Sequence, residues 1–318
     1  MMSHIPVLLP EVVKALGPHE GGIYVDGTFG AGGYSRGILA ASPGARVFAV
    51  DRDPAAAAIA RELTENFPER FAFFAGRFGD MDAILPPELP GRVNGLCLDV
   101  GVSSMQIDRP ERGFSFRNEG PLDMRMEGRG PSAADLVNTL AEDELADLIH
   151  DFGEERAARR VAAAIVRTRA DKPFTTTLEL AGAVRSAVRP GKDGIDPATR
   201  TFQALRIAVN DELGELERAL HAAERLLARG GVLAVVTFHS LEDRIVKRFI
   251  DAKSGRTAMP SRHAPPPPAA ARPTFAATVR RPAVASDAEV RLNPRARSAK
   301  LRVAVRTDAP APGKEGAR

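Results

Sequence analysis

Three aspartates each close a short apolar run: Asp26 ends "GIYVD", Asp51 ends "ARVFAVD" and Asp99 ends "VNGLCLD". Asp26 is followed by Gly27, Thr28, Phe29, Gly30, Ala31, Gly32 and Gly33, a turn nearly bare of side chains. Such a turn behind a strand lets backbone N–H groups approach a ligand closely, and an acid about 20 residues later suits ribose hydroxyls. Both features fit a nucleotide, and Asp26 bears on which one. Gly30, Gly32 and Ser35 nearly satisfy the dinucleotide fingerprint, but a carboxylate at the head of the turn repels a pyrophosphate. It stabilises a sulfonium and an ammonium, the charges of S-adenosylmethionine. A methyl donor is therefore preferred to a dinucleotide, and a turn that merely packs helix on strand is the plain alternative. Phe78, just past "RFAFFAGR", is placed to lie against an adenine ring, and Asp99 stands at a fourth strand end. Each also has an ordinary reading, as core aromatic and as helix cap.

The elements that must position these residues follow from periodicity. "GIYVDG", "ARVFAVD", "RFAFFAG" and "VNGLCLDVG" alternate with helical segments such as "SRGILAAS" and "PAAAAIARELTENF", the pattern of βαβ units and a parallel sheet covered by helices. From about Ser132 to Arg229 the strand signal disappears. Helix starts are expected instead at Thr139 with Glu142, at Thr176 with Glu179, and at Asp196 before Pro197. Ala198, Phe202, Leu205 and Val209 share one helical face, expected to be buried. After Gly230 and Gly231 the sheet resumes with "VLAVVTF", followed by an amphipathic helix in "HSLEDRIVKRFI", and "SAKLRVAVRT" reads as a strand closing a sheet edge. The expected fold is thus α/β, with residues 1–104 and 211–318 forming a discontinuous sheet domain and 105–210 a helical insertion. The proline-rich stretch near 260–273 is expected to be mobile, and "DAPAPGKEGAR" at the end to be disordered.

Composition narrows the function classes. The 318 residues are 44% hydrophobic and 27% charged with a net charge of +3, which points to ordinary globular material and argues only weakly for a nucleic-acid partner. No apolar run approaches the roughly 18 residues of a membrane span, and the first residues lack a basic leader, so a cytoplasmic protein is expected. The single cysteine, Cys97, excludes an intramolecular disulfide and a thiolate zinc cluster, and it reads as a small buried hydrophobe. The six histidines show no metal-ligand spacing, and no metal is expected. His239, after the fifth strand, reads as a histidine hydrogen-bonded to backbone and is given no catalytic role.

"DRPERGFSFRNEGPLDMRM" interleaves Arg109, Arg112, Arg117 and Arg125 with Phe114 and Phe116. Single-stranded RNA is held by basic groups on phosphates and by aromatic faces beneath unstacked bases. These residues are therefore candidate substrate contacts, against the plainer reading that the arginines pair with Asp108, Glu111, Glu119 and Asp123. Arg156, Arg160 and Arg167, and the run Arg291, Arg295, Arg297, Lys300 and Arg302, extend the candidate phosphate path or form solvated basic faces.

"VDGTFGAGGYSRGIL", "DRDP", "LDVGVSSMQIDRPERGFSFRNEGPLDMRM", "GEERAARRVAAAIV", "PATRTFQALRIAVNDEL", "TFHSLEDRIVKRF" and "NPRARSAKLRV" together resemble the RsmH (MraW) family, from about His4 to Arg306. The resemblance implies a class I, Rossmann-like S-adenosylmethionine-dependent fold with an inserted all-helical domain. It also implies methylation of N4 of a decoding-centre cytidine in 16S ribosomal RNA, a partner met within the small subunit. Cofactor contacts fall by resemblance on Gly32, Gly33, Tyr34, Asp51, Phe78, Asp99 and Gln106. Tyr34 stands where the family usually has histidine, and Met105 where proline is usual. Many amino-methyltransferases place an Asp, Asn or Ser before two prolines and an aromatic at the fourth strand end; here Asp99-Val-Gly-Val-Ser-Ser stands there. Asp99 is the candidate acceptor of an amino hydrogen, with Ser103 and Ser104 as second choices. An RNA-binding assembly factor that holds the cofactor without catalysis and a nicotinamide-dependent dehydrogenase are the rival classes. Monomer and homodimer both remain open.

Overall fold

The computed structural model describes residues 6–189, 194–256, 272–278 and 281–311. Most of the proline-rich stretch near 260–273 and residues 312–318 of the tail lie outside the described residues. The chain divides into two compact units, Met1–Gly101 with Leu213–Arg318, and Val102–Glu212.

In chain order the first unit opens with α1 (Leu9–Leu16), β1 (Ile23–Asp26), α2 (Gly33–Ala41), β2 (Arg46–Asp51), α3 (Pro54–Asn66), β3 (Phe71–Ala75), a short α4 (Met81–Ile84) and β4 (Val93–Asp99). The second unit contributes α5 (Ser104–Ile107), α6 (Ala133–Thr139), α7 (Glu142–Gly153), α8 (Ala158–Asp171), α9 (Thr177–Ala187) and α10 (Ala198–Asn210). The chain then continues through α11 (Glu212–Leu226), β5 (Leu227–Thr237), α12 (Ser240–Lys253), β6 (Phe275–Ala277), β7 (Ala283–Val284), α13 (Asp287–Leu292) and β8 (Lys300–Arg306).

The sheet order is β3-β2-β1-β4-β5-β8-β6, with β7 also paired to β8. Strands β1 to β5 are parallel, and β8 runs antiparallel between β5 and β6. The chain winds outward from β1 to β3 and then crosses back to β4, so the switch point lies between β1 and β4. Ligands of such sheets bind beyond the strand carboxyl ends at that place. Side chains alternate across the sheet as a pleat requires. Val25, Leu96 and Leu98 enter one core with Leu216, Leu220 and Val246. Tyr24, Cys97 and Val236 enter the opposite core with Val12, Ile38 and Leu63. Cys97 is free and buried, as expected of a small hydrophobe.

Three local readings are corrected. "SAKLRVAVRT" is not an edge strand: β6 and β7 both pair on the outer side of β8, and buried Phe275 packs edge-on against Phe249 to seat β6. Strand β5 starts at Leu227 rather than after the glycines. Its register jumps from Val93–Leu227 to Gly95–Val232, and Gly230 takes φ 78° at the irregularity. The start expected at Thr139 is instead a helix end. Thr139 Oγ1 donates to Asp135 O, and α7 begins three residues later, behind a cap at Ala141 whose N–H donates to Glu144. The Thr176–Glu179 box forms as read, and Asp196 accepts the Ala198 N–H at the start of α10.

The second unit has its own core, in which Phe202 and Leu205 of α10 meet Val161, Ile165 and Leu180. Ala198 is buried there too, and Val209 packs against it partly buried. No helix among the described residues is long and apolar enough to cross a membrane.

Candidate active site

The glycine turn is stitched to the strands on either side of β1. Gly27 N–H donates to Cys97 O, Phe29 N–H to Val50 O, and Gly30 N–H to Asp51 Oδ2 at 2.7 Å. Thr28 Oγ1 lies 2.6 Å from Asp99 N. Asp26 is fully buried and faces the same turn. Its Oδ2 accepts Ser35 Oγ–H at 2.7 Å and Ser35 N–H at 3.2 Å, and Oδ1 accepts Thr28 N–H at 3.3 Å. Burial pushes its carboxyl up to about 6, against the pull of those hydrogen bonds. Asp26 is therefore the brace of the turn as well as a carboxylate buried against it.

Gly32 has φ 76°, a conformation that a side chain strains, and no side chain caps α2 behind it. A Cβ on Gly33 would lie 1.9 Å from Pro6 Cγ, so only glycine lets the N-terminal segment close against the helix start. The backbone N–H groups of Gly33 and Tyr34 belong to the first turn of α2, where the helix itself supplies no acceptor. Tyr34's ring is committed elsewhere: it is buried, and its hydroxyl donates to Val7 O. What Tyr34 offers the turn is its backbone.

Asp51 accepts Gly30 N–H through Oδ2 and Asp53 N–H through Oδ1, and each oxygen retains a second lone pair. Phe78 sits half-buried just past β3. Next to it a feature invisible in the sequence emerges: Arg52, directly after Asp51, lies 2.8 Å from Glu215, and both side chains are almost fully buried. Burial pushes the Glu215 carboxyl up to about 7, opposed by the Arg52 charge. A Cβ on Gly79 would come within 2.9 Å of Glu215 Cγ, so the pair is wedged between the turns that follow β2 and β3.

Asp99 closes β4 with its Oδ1 buried and without a hydrogen-bond partner. Burial pushes its carboxyl up to about 8, and the neighbouring Asp26 and Glu242 carboxylates add to the shift. His239 differs from the sequence reading. Its ring is not held by backbone; Nε2 lies 2.8 Å from Oε1 of Glu242, which is itself fully buried. The His-x-x-Glu spacing of a capping box at Glu242 was the one signal available for that partner.

The first unit thus brings together the glycine turn, Asp26, Asp51, Phe78 and Asp99. The remaining candidates lie in the second unit, apart from the C-terminal basic run, which belongs to the first. Gln106 is buried, and its Oε1 accepts Ser103 N–H at 2.9 Å. Arg112 donates to Arg125 O and Met126 O and lies over the Phe114 ring. Phe116 packs edge-on against Phe202 under the guanidinium of Arg185, and Arg125 is paired with Asp123 at 2.6 Å. These four side chains build the loop and its seat on the helical core. Arg109 and Arg117 are exposed, as are Arg156, Arg160 and Arg167. In the C-terminal basic run, Lys300 and Arg302 pair with Asp243.

The MraW methylase family model matches residues 1–307. The chain belongs to the MraW methylase family. Similar proteins of this family are named ribosomal RNA small subunit methyltransferase H. That of Paramagnetospirillum magneticum is 62% identical over 312 residues, covering 97% of each chain. That of a Methylobacterium species is 61% identical, covering 97% of this chain and 92% of the relative. That of Rhodospirillum rubrum is 57% identical, covering 98% and 96%. For an MraW methylase with this sheet, the cofactor is S-adenosylmethionine. The residues present fit it: an uncapped helix start behind a turn that admits no side chain, and a buried carboxylate oxygen without a partner at the switch point. Antiparallel β8 stands beside β5, where the mostly parallel dinucleotide sheet has its sixth strand, against the dehydrogenase reading.

Proposed function

We propose that the protein is a cytosolic enzyme that methylates N4 of a decoding-centre cytidine in 16S ribosomal RNA, met within the small subunit. The observation that carries this reading is Asp99, whose Oδ1 is buried and unpartnered at the β4 end, beside the glycine turn of an MraW-family chain. S-adenosylmethionine, when bound, supplies an electrophilic methyl group on a positively charged sulfur. Gly32, Gly33 and Tyr34 hold it through backbone, Asp51 through the ribose hydroxyls, and Phe78 against the adenine. Asp26 and Asp99 supply negative charge toward the sulfonium. The place of Gln106 in this set rests on the family resemblance. The amino nitrogen of cytosine is a weak nucleophile because its lone pair is delocalised into the ring. Asp99 accepts one amino hydrogen, which fixes the amine and returns electron density to nitrogen.

Arg109 and Arg117 are the arginines of the loop that extend into solvent, so RNA phosphates are assigned to them, while Arg112, Phe114 and Phe116 shape the loop. Reversing the charge of Arg109 and Arg117 together is expected to weaken RNA binding on the order of tenfold or more. It should also reduce the salt dependence by about one phosphate contact per arginine, with cofactor affinity unchanged. Filter binding across a salt series measures this. The function itself is tested by incubating the protein and labelled methyl donor with unmodified small subunits and with free ribosomal RNA, followed by mass spectrometry of the nucleosides. N4-methylcytidine is the expected product. Tight cofactor binding with no modified base would favour an assembly factor.

A further inference from the structure

Glu242 has one carboxylate oxygen explained and one not. Oε2 accepts the backbone N–H groups of Phe238 and His239 at 2.7 and 3.2 Å, which caps α12. Oε1 lies 2.8 Å from His239 Nε2. Neither Oε1 nor either ring nitrogen completes an aligned hydrogen bond among the described residues. Asp99 Oδ1 shares this condition; with Nε2 and Oε1 facing each other at 2.8 Å, the buried polar atoms of this cluster left without any partner among the described residues are His239 Nδ1 and Asp99 Oδ1, which come from the ends of two adjacent strands. Asp99 pairs with Val236 in the β4–β5 register, three residues before His239. Glu242 Oε1 is only 3.8 Å from where a Cβ on Gly101 would stand, two residues past Asp99. A buried polar group left unpaired is disfavoured by about 1–3 kcal/mol, so a cluster of them calls for a ligand that completes it.

The chemistry of the cluster selects that ligand. A carboxylate beside Nε2 favours the tautomer with the proton on Nε2, which leaves Nδ1 as an acceptor. Asp99 Oδ1 is an acceptor as well. Two buried acceptors suit a group that carries two hydrogens on one atom, which an exocyclic amine does and a ring carbonyl does not. We infer that His239, oriented by Glu242, is a catalytic residue that accepts the second hydrogen of the target amine at Nδ1 and takes it as a proton during methyl transfer. This rests on the cytidine-N4 reading above.

In that step the amine nitrogen forms a bond to the methyl carbon while the carbon–sulfur bond breaks. The electron pair of the broken bond stays on sulfur, which becomes a neutral thioether. The nitrogen sheds its excess proton to Nδ1, and the resulting imidazolium is stabilised by the Glu242 carboxylate. The His239 side chain is 13% exposed, which gives the proton a way to solvent.

Two measurements test the inference. In single turnover with saturating RNA and cofactor, His239→Ala is expected to lose about 10²–10⁴-fold in rate. Its cofactor and RNA affinities should stay within about twofold, and added imidazole should restore part of the rate. Glu242→Gln should fall between this variant and the wild type. Separately, cytidine titrated into the cofactor-free wild-type protein should shift the ring ¹⁵N resonance of His239, and uridine should not. A full-rate His239→Ala variant, or a ring that responds equally to cytidine and uridine, would overturn the inference. Wild-type protein that forms no N4-methylcytidine would instead overturn the reading beneath it. The resonance titration decides the matter even if the variant does not fold.

Discussion

Asp99→Asn is expected to lose methyl transfer by about 10²–10⁴-fold while making the cofactor-free protein more heat-stable at pH 8. The two effects share one cause. Asp99 Oδ1 is buried without a hydrogen-bond partner, and desolvation pushes the carboxyl up to about 8 against an ordinary value near 4. Between those values the folded state holds a proton that the unfolded state has released. Stability therefore falls as pH rises through that window, and the loss is complete above about 8. Asparagine removes the titration and with it the penalty. A rise in Tm on the order of 5 °C at pH 8, shrinking toward zero near pH 4, is the expected signature in calorimetry. Asp26 and Glu215, raised to about 6 and about 7, act in the same direction and remain in the variant. Activity has the opposite pH dependence, since the ionised carboxylate is the useful form. For the wild type, kcat/KM for the cofactor should rise through a limb near pH 8. The limb in kcat should lie lower, because the bound sulfonium stabilises the carboxylate. A full-speed Asp99→Asn enzyme would remove Asp99 from the chemistry.

Gly33→Ala is expected to weaken cofactor binding about 100-fold while leaving the fold intact. The added methyl would stand 1.9 Å from Pro6 Cγ and 3.1 Å from both Cβ and Cδ of the same ring. A proline ring cannot swing aside like a long side chain, so either the N-terminal segment or the start of α2 must move by about an ångström. The Gly33 and Tyr34 N–H groups move with it, and misplacement of that size is worth about 10² in a site that depends on orientation. Gly182, in α9 of the other unit, is the control: nothing lies within 4 Å of its Cβ position, and alanine there should stabilise by about 0.4–1 kcal/mol. Isothermal titration with S-adenosylhomocysteine separates the two variants. Unchanged affinity in Gly33→Ala would show that the turn does not hold the cofactor.

The sheet and its cofactor turn were legible because their signals are local. An apolar run ending in Asp26, Asp51 or Asp99 carries its strand and its strand end in one stretch, and the glycines of the turn announce a backbone that side chains cannot adopt. What the sequence concealed depends on pairs far apart in the chain. Arg52 and Glu215 meet only once β2 and α11 are packed, and nothing near either residue announces the other. The interior position of β8 depends on β6 and β7, which are too short to read as strands. Phe114 and Phe116 read as stacking faces because their spacing with arginines suits RNA, and the contacts of Phe116 with Phe202 and Arg185 are a further pairing that sequence neighbours do not announce. His239 reads as backbone-bonded on the general habits of histidine, whereas its partner stands three residues away in the same helix start.

The most direct test of the whole account is a crystal structure of the protein grown with S-adenosylhomocysteine, with a parallel soak in NAD. The amino-acid end of the nucleoside is expected on the Gly32–Gly33 turn, its ribose on Asp51 and its adenine beside Phe78, with no NAD bound. A ligand-free turn in the first crystal, or NAD occupying it in the second, would contradict the account.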